Sequence, residues 1–565
     1  SPASCPRDRT APVVFASGPV SRFTTQSVIE QIRSGWEAGF FARAGSPAVT
    51  GQVADGAWAR SPAVTGQIAD GARAGSRLDR AAQVRLLFGN VTQIHDLSVT
   101  ELAAAIREGE LSPVEITDHY LERIDRLGDQ VGAFYTVTGE RARQEAAAAE
   151  KAVAVARNDR SALPPLTGIP IPIKDLNMVA GVRMTFGSTI FADNVADQDD
   201  YVVAALRSAG IVITGKTATP EFGLPCYTET RIGPPARTPW DPARSAGGSS
   251  GGAAAAVAAG LAPAAQGSDG GGSIRIPSSV CGLFGIKPTR GRVSGGPLLP
   301  DLSGLSIDGP LAHTVADAAL LLDAMSGNRL GDMYTLPPLP SGETFLSYAG
   351  REPGRLRIGR SLQNAVEGAE VHPECVAAYE EASVLLSELG HEVEDVTLPF
   401  GPDVVPFFET LWYAMATLAP IDQAQEGQLL PITRYLRDRG LEVRAPELVF
   451  AQAYLQAVTR SALEALNAYD AVLSPTLASP PVPVGYFDDV DPAENFERQK
   501  RFTPYTALYN VSGQPAVSVP LHWSADGLPI GIMLAGRMGD EATLISLSAQ
   551  LEAARPWRDR HPAIW

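Results

Sequence analysis

The chain has 565 residues, of which 45% are hydrophobic and 19% are charged, so it can bury a sizeable core and wholesale disorder is excluded. Its net charge of −17 disfavours binding nucleic acid over a broad surface, because an acidic protein repels phosphates. Four widely spaced cysteines argue against a disulfide framework or a thiolate zinc site, and they favour a reducing compartment, which we take to be the cytoplasm. No run of 18 or more large apolar residues exists, so no membrane span is predicted.

Residues 1–90 differ in composition from the rest of the chain. They hold 10 arginines, no lysine and 6 acidic residues, a net charge of +4, which leaves −21 for the remainder. A 12-residue segment that begins at Ser46 recurs almost unchanged from Ser61. Because Gly, Ala, Ser and Pro dominate, little apolar surface is available to offset chain entropy. We therefore predict a low-complexity, disordered extension, or sequence upstream of the true start.

Helical patterns follow this extension. A capping box opens the segment Ser98–Ile106, and a second one, with proline at the first helical position, opens Ser112–Leu127. The Ala-rich segment Arg141–Arg157 predicts a third helix. We assign residues 91–160 to a helical N-terminal segment that packs on the core.

From Leu166 onwards, short apolar runs alternate with helical patterns, which is typical of an α/β protein. Because the runs lack strict alternation, they indicate strands buried on both faces. An Asp526-Gly527 turn predicts a hairpin, so the large sheet should be mixed. The most apolar run, Ala253–Ala265, predicts a core helix. No linker is evident, and residues 161–565 are predicted to form one domain. The predicted strands are Ile169–Ile173, Ile211–Thr214, Ala471–Ser474, Ala516–Pro520 and Ile530–Leu534, and the main predicted helices are Asp200–Ala209, Val315–Met325 and Pro373–Leu389.

Lys174 is an unusual residue at the end of an apolar strand. The chain uses 41 arginines and only five lysines, so where charge alone is needed it uses Arg. A lysine kept here suggests an amine that must lose its proton, which Arg cannot do. Burial would lower its pKa and make it a base. The alternative is a surface lysine, or one paired with Asp175.

Two glycine-rich segments each surround a serine. Gly247–Gly252 contains Ser249 and leads into a helix of small residues, where close backbone approach and free N–H groups could hold a hydroxyl or an anion. In Asp269–Pro277, three glycines precede Ser273 and expose consecutive N–H groups, as an oxyanion hole requires. Ordinary glycine turns are the alternative for both.

Together these motifs resemble the amidase signature family. The similarity extends over residues 95–557, and it is carried by Gly247–Gly252, Gly267–Pro277 and the following Cys281–Thr289. The resemblance implies a mixed sheet flanked by helices on both faces. It also implies a cofactor-free and metal-free amidohydrolase that cleaves linear amide C–N bonds through an acyl-enzyme and releases a carboxylate with ammonia or an amine.

The family's catalytic roles map onto matching positions. Ser273 matches the nucleophile, and Ser249 matches the bridging serine that follows a cis peptide bond. Lys174 matches the base that takes the proton of Ser249. This Ser-Ser-Lys triad requires no metal.

The resemblance also assigns backbone and supporting groups. The N–H groups of Gly270, Gly271, Gly272 and Ser273 match the oxyanion hole, with a glycine at 270 where many members carry a side chain. Three further residues are expected to support the site: Ser250, Asp269 and Arg275.

Four alternatives arise at this point, and three of them remain open. The first is the catalytic subunit of a tRNA-dependent amidotransferase, and the second is a non-catalytic member of the fold. The third is a Ser-His-Asp esterase of the α/β-hydrolase type, because Gly247–Gly251 also satisfies Gly-x-Ser-x-Gly and His522 or His561 could serve as the base. The fourth is a P-loop at Gly210–Thr217, which we reject because its interior reads as a strand.

The sequence does not fix the amide. Phe407–Pro420 and Leu224–Tyr227 are apolar and aromatic, and either could line an acyl pocket, with an aryl or aliphatic amide preferred. We expect a small-molecule substrate, and neither a nucleic acid nor a membrane partner. A homodimer is compatible with the sequence, which leaves the oligomeric state open.

Overall fold

The computed structural model describes residues 93–159, 162–297 and 303–565. The extension predicted to be disordered, residues 1–90, lies outside this part of the chain. All the described residues belong to one compact unit. None of their helices is both long and apolar enough to cross a membrane.

Fifteen α-helices lie in the described ranges. They are α1 Val99–Glu108, α2 Pro113–Val131, α3 Gly139–Asp159, α4 Tyr201–Ser208, α5 Gly251–Ala258, α6 Arg275–Cys281, α7 Val315–Met325, α8 Phe345–Ala349, α9 Pro373–Glu388, α10 Val405–Met415, α11 Pro431–Glu442, α12 Ala445–Leu466, α13 Pro492–Phe502, α14 Leu508–Ser512 and α15 Glu541–Ala554. Single 3₁₀ turns are Ile94–Asp96, Thr189–Phe191, Glu221–Gly223, Pro402–Val404 and Glu426–Gln428.

Eleven strands of the described chain form two sheets. They are β1 Phe134–Val137, β2 Ile173–Lys174, β3 Gly215–Thr217, β4 Ala264–Asp269, β5 Phe284–Lys287, β6 Ile307–Ala312, β7 Arg357–Arg360, β8 Glu392–Asp395, β9 Ala471–Pro475, β10 Ala516–Trp523 and β11 Pro529–Gly536. A small sheet has the order β1-β3-β2, and a large one has the order β4-β6-β5-β10-β11-β9-β7-β8. The large sheet is mixed, as predicted, because the β9-β7-β8 pairings are parallel whereas β11 pairs with β9 in the antiparallel sense.

The structure confirms the local capping signals. Ser98 accepts from the N–H of Glu101 in a complete capping box, and Ser112 caps α2 ahead of its first-turn proline. The Asp526-Gly527 turn joins β10 to β11 as an antiparallel hairpin, with Gly527 at φ +79°. The segment 91–160 is not entirely helical, since β1 lies within it and pairs with β3.

Three predicted elements are wrong in extent. The predicted strand 169–173 overlaps β2 only at Ile173, and the predicted strand 211–214 ends just before β3. Between these two segments the structure has an isolated bridge, Pro170 with Val212. The run Ala253–Ala265 is not one helix: α5 ends at Ala258, and β4 begins at Ala264. Gly260 at φ +65° and Pro263 separate the two elements, because neither continues a helix.

Two loops of the chain meet between the two sheets. One precedes α5 and the other joins β4 to α6, and both helices are buried along their whole length. A side chain at Gly252 would lie 2.3 Å from the Ala218 nitrogen, so only glycine lets α5 approach β3 this closely. Strand β2 lies beside β4 and ends at Lys174, where both loops converge.

Candidate active site

Lys174 is completely buried, and its amine contacts a serine hydroxyl. Its Nζ donates to Ser249 Oγ at 2.8 Å, to Ser268 Oγ at 3.0 Å and to the Ser268 carbonyl at 3.3 Å. Burial lowers the pKa of Lys174 to about 7, against the opposing effect of the Asp308 and Asp269 carboxylates. A large fraction of this amine is therefore uncharged near neutral pH.

A buried polar network lies behind the lysine. Gln266 accepts the backbone N–H of Lys174 at 2.9 Å and donates to Asp308 Oδ1 and Asn177 Oδ1, both at 2.9 Å. Burial, together with the neighbouring Asp200 carboxylate, raises the pKa of Asp308 to about 7. Asp308 is therefore the group whose charge most directly opposes neutralisation of Lys174.

Asp175 does not pair with Lys174, so that alternative is excluded. It forms a fully buried ion pair with Lys216, 3.0 Å from Nζ to Oδ1, and accepts from the N–H of Thr185 at 2.9 Å. Lys216 lies in strand β3 and also donates to the Asn177 carbonyl. The P-loop pattern at Gly210–Thr217 therefore ends in strand β3, and its lysine is already paired inside the core instead of being available to a phosphate.

The second serine lies against the first loop. Ser273 is 6% exposed, and its carbonyl accepts the N–H of Ser250 at 3.1 Å. Ser250 Oγ also donates to the Ser268 carbonyl at 3.2 Å. The peptide bond between Gly248 and Ser249 is cis. The hydroxyls of Ser249 and Ser273 are not hydrogen-bonded to each other in this structure.

The glycine loop before Ser273 presents a subset of the predicted N–H groups. The N–H of Gly272 donates to Asp269 Oδ1 at 2.7 Å, so it is not free to bind a substrate oxygen, and the sequence assignment of Gly272 as a donor requires correction. The N–H groups of Gly270, Gly271 and Ser273 have no partner within the described chain. Gly272 has φ +131°, and a Cβ there would lie 2.4 Å from Thr506 Oγ1. Glycine is therefore required by the backbone at this position.

Asp269 and Arg275 fix the shape of this loop. Both side chains are fully buried, and Nη2 of Arg275 lies 3.0 Å from Oδ1 of Asp269. Although burial alone would favour the neutral acid, the Arg275 charge and hydrogen bonds hold the pKa of Asp269 below its usual range. The same carboxylate accepts the N–H of Ile274, and Arg275 also donates to the Thr506 carbonyl. The predicted supporting residues thus contact the loop directly.

Sequence reasoning missed three residues of this site. Asn510 donates to both the carbonyl and the carboxylate of Asp269 at 2.9 Å and accepts from Arg275 at 2.7 Å. Ser268 and Gln266 contact Lys174 from strand β4. Ser268 and Gln266 could have been recognised from the sequence as polar side chains in a buried strand, because polar groups inside a core need hydrogen-bond partners.

The histidines proposed for an esterase lie elsewhere. His522 contacts Glu381 at 3.2 Å, and the His561 ring stacks on Trp565 with centroids 4.0 Å apart. Neither ring is hydrogen-bonded to Ser249 or Ser273. Within the described ranges, no group of three or more His, Cys, Asp or Glu residues is arranged to hold a metal ion.

A cavity of about 100 Å³ opens beside Ser273 and Gly271. Its other walls come from the Leu224–Cys226 segment, Ile276, the Ala365–Val366 segment, helix α10 and its approach, and the α13–α14 region. Both aromatic segments singled out in the sequence therefore contribute to it. The main apolar wall residues are Leu224, Val405, Phe408, Trp412, Phe496 and Leu508.

Comparison with known proteins decides the family. The profile of the family described as Amidase matches residues 115–545. This chain belongs to the amidase family. The putative amidase AmiB2 of Mycobacterium tuberculosis is 39% identical over 83% of this chain and 99% of its own length. An acylamidase of Rhodococcus erythropolis is 34% identical over 83% and 98%.

Solved structures agree with the fold of this amidase. The structure of 6-aminohexanoate cyclic dimer hydrolase superimposes with a TM-score of 0.76 at 30% identity, and it covers 83% of this chain and 99% of that one.

A glutamyl-tRNA(Gln) amidotransferase subunit of Thioalkalivibrio sulfidiphilus is also similar in sequence, at 35% identity over 83% of this chain and 99% of its own. The hydrolases among these relatives favour hydrolysis over amidotransfer. This amidase is therefore a hydrolase that acts on the carbon–nitrogen bond of amides.

Proposed function

We propose that this amidase cleaves its substrate through an ester on Ser273, with Ser249 and Lys174 as the proton relay. The observation that carries the proposal is the fully buried Lys174 amine, 2.8 Å from Ser249 Oγ and with a pKa lowered to about 7. A neutral amine has two N–H groups and one lone pair. With both N–H groups on Ser268, the lone pair faces the Ser249 hydroxyl.

The first half of the reaction forms the ester. Ser273 Oγ attacks the amide carbonyl while its proton passes to Ser249 Oγ and the Ser249 proton passes to Lys174 Nζ. The oxygen of the tetrahedral intermediate is stabilised by the N–H groups of Gly270, Gly271 and Ser273. Collapse then breaks the C–N bond, and the leaving nitrogen takes the proton back through Ser249.

The second half restores the enzyme. A water molecule attacks the ester carbonyl and gives its proton to the same relay, and the carboxylate leaves as Ser273 regains its hydrogen. Contact between the two hydroxyls must form when substrate binds, since catalytic hydrogen bonds are often loose in the free enzyme.

Substitution of Ser273 tests the proposal. Ser273→Ala should lower kcat by at least about 10⁴-fold, because no other group can form the ester. Ser326→Ala, at the end of helix α7, is the matched control and should retain wild-type activity. Amine release from a panel of simple amides is the measurement, and turnover by Ser273→Ala at the wild-type rate would rule out the assignment.

The amidotransferase alternative makes a different prediction for the isolated chain. A catalytic chain of that kind depends on partner proteins, whereas the proposed enzyme hydrolyses simple amides alone. Activity of the purified chain on small amides supports the proposal, and activity that appears only with partner proteins contradicts it.

Location and partners are part of the same proposal. We place this amidase in the cytoplasm, with a small-molecule amide as its ligand, neither nucleic acid nor membrane as partner, and a homodimer as the assembly to test. Support for a reducing compartment comes from Cys226, Cys281 and Cys375, which are buried free thiols in the described part of the chain. Light scattering of the purified chain measures the assembly directly.

A further inference from the structure

The cavity beside Ser273 lies on the acyl side of the bond to be cleaved. Ser273 and Gly271 line it, whereas Lys174 and Ser249 do not. Because a leaving amine must collect its proton from the relay, the nitrogen side of a bound amide lies toward Ser249. The acyl group, on the other side of the carbonyl carbon, therefore extends into the cavity.

An aromatic pair in the cavity wall packs against the glycine loop. The rings of Phe408 and Trp412 stack with centroids 5.4 Å apart and planes inclined by 22°. A Cβ built on Gly271 would lie 3.6 Å from the Trp412 ring and 3.7 Å from the Phe408 ring. The acyl group must therefore pass these two rings directly after the carbonyl.

Away from the catalytic loop, the neutral polar side chains in the walls are bonded to other protein groups. Gln499 accepts the N–H of Cys226 at 2.9 Å and donates to Asn495 at 2.7 Å, and Thr503 donates to the Gln499 carbonyl at 2.9 Å. None of these groups needs a substrate partner. The surface offered to the acyl group is accordingly apolar.

Among the described residues that line the cavity, Lys500 is the one that carries a charge, and this charge is already neutralised. It forms ion pairs with Glu409, next to Phe408 on helix α10, and with Glu497, 2.6 Å away on helix α13. The Lys500 and Glu409 side chains are only 16% and 19% exposed. Because both side chains are largely shielded from water, a charged acyl end would have to compete with the partner that each of them already has.

We infer that the substrate of this amidase carries a short, uncharged apolar acyl group, and that the Glu409–Lys500 ion pair excludes acyl groups ending in a charge. The size follows from the volume, because an apolar cavity of about 150 Å³ holds one benzene molecule and this one measures about 100 Å³. The inference rests on the proposed acyl-enzyme at Ser273.

Three amides of matched chain length test the inference. Pentanamide, glutaramic acid and 4-aminobutanamide share three methylene groups and differ only in a terminal methyl, carboxylate or ammonium group. Since burying an unpaired charge costs several kcal/mol, kcat/KM for pentanamide should exceed that for either charged amide by at least about 100-fold. Equal rates on all three, or a preference for a charged amide, would overturn it.

Two substitutions test the part played by the ion pair. Glu409→Gln leaves Lys500 paired only with Glu497, whose side chain is 51% exposed, and should raise kcat/KM for glutaramic acid, relative to pentanamide, by roughly tenfold. The gain should disappear when Lys500→Met is added to Glu409→Gln. A gain that survives the second substitution, or no gain at all, contradicts the assigned role of the pair.

Adjacent phenylalanines provide a matched pair for the cavity wall. Phe408→Ala enlarges the acyl slot and should shift the optimum toward acyl groups one or more carbons longer. Phe407 packs on Tyr454, with centroids 4.1 Å apart, and does not line the cavity, so Phe407→Ala should leave the chain-length profile unchanged. Identical profiles for both variants would contradict the placement of the acyl group.

Failure of this inference can be told apart from failure of the proposed function. If the enzyme hydrolyses amides and a fluorophosphonate labels Ser273, but acyl charge has no effect, only the acyl inference is wrong. If Ser273 is not labelled, the acyl-enzyme itself is wrong and the inference falls with it.

Discussion

At the scale of single residues, the ionisation of Lys174 should control activity. Burial lowers its pKa to about 7, and only the neutral amine can accept a proton from Ser249. We expect kcat/KM for a neutral amide to fall roughly tenfold per pH unit below this pKa and to level off above it. Lys174→Arg should be inactive at every pH, since Arg keeps its proton. A profile that is flat from about pH 5 to 9 would contradict this role.

Asp308 should shift that profile. Its carboxylate favours the charged form of Lys174, so Asp308→Asn should move the acid limb to lower pH, by about one unit. Asp323→Asn is the matched control, because Asp323 binds the first N–H groups of helix α8 instead. The pH dependence of kcat/KM for the two variants is the measurement. An unmoved limb in Asp308→Asn would show that the carboxylate does not influence the base.

At the scale of elements, the buried Asp269–Arg275 pair holds the β4–α6 loop in place. Arg275→Met should lower the free energy of unfolding by about 3–5 kcal/mol, because it leaves a buried carboxylate without its cation. The exposed Arg444–Glu447 pair supplies the control, and Arg444→Met should have little effect on stability, because solvent screens this pair. Urea unfolding of both variants checks the difference, and similar losses would refute the argument.

The approach of α5 to β3 makes a second prediction at this scale. Gly252→Ala would place a Cβ 2.3 Å from the Ala218 nitrogen and 2.6 Å from the Ala133 carbonyl, so we expect a loss of about 2 kcal/mol or more in stability. Gly427→Ala meets no atom within 4 Å and should be close to neutral. Thermal unfolding of the two variants measures the contrast. Equal melting temperatures would mean that α5 can shift without cost.

Element boundaries show where sequence reasoning succeeded and where it failed. Caps and the Asp526-Gly527 turn are local signals, and the structure confirms them. The predicted positions of strands β2 and β3 were too early in the chain. Pro170 and Pro172 lack an N–H group, so they interrupt the hydrogen-bond ladder along the apolar run. Strand β6 was missed because it contains Gly309, a residue that does not indicate a strand in the sequence. A Cβ added at Gly309 would lie 2.4 Å from the Ile286 carbonyl, so glycine is needed for the close pairing with β5. Such close pairing depends on the neighbouring strand rather than on local propensity.

The site shows the same division. Lys174, Ser249 and Ser273 could be singled out because a rare lysine and two glycine-flanked serines are unusual in this chain. The loss of Gly272 as a donor could not be predicted, because it depends on where Asp269 points after folding. The contact of Asn510 with the loop could not be predicted either, since Asn510 lies on a helix more than 200 residues away along the chain.

At the scale of the whole molecule, a histidine cluster joins the start of the described chain to its C-terminus. His95 contacts His119 at 2.9 Å, and Trp565 packs against His95, His313 and His561. Burial, with a contribution from nearby charged residues, lowers the pKa of His95 to about 3 and that of His119 to about 4. These rings are neutral in the folded protein well below pH 6.5, where the unfolded chain is already protonated.

The cluster should therefore make the protein sensitive to acid. Because the unfolded state binds more protons, stability is present above pH 6.5 and falls as the pH drops toward 4. His95→Gln should reduce this fall by at least about 1.4 kcal/mol, the equivalent of one pKa unit. His522→Gln, outside the cluster, should keep the wild-type dependence. Urea unfolding between pH 4 and 7 tests it, and parallel curves for wild type and His95→Gln would contradict the account.

Covalent labelling tests the central claim most directly. The enzyme is treated with a fluorophosphonate and digested, and the modified peptide is located by mass spectrometry. We expect one adduct, on Ser273, that is lost in Ser273→Ala and forms far more slowly in Lys174→Met, because the hydroxyl then lacks its base. An adduct on any other residue, or labelling of Ser273 at the same rate without Lys174, would contradict the proposed mechanism.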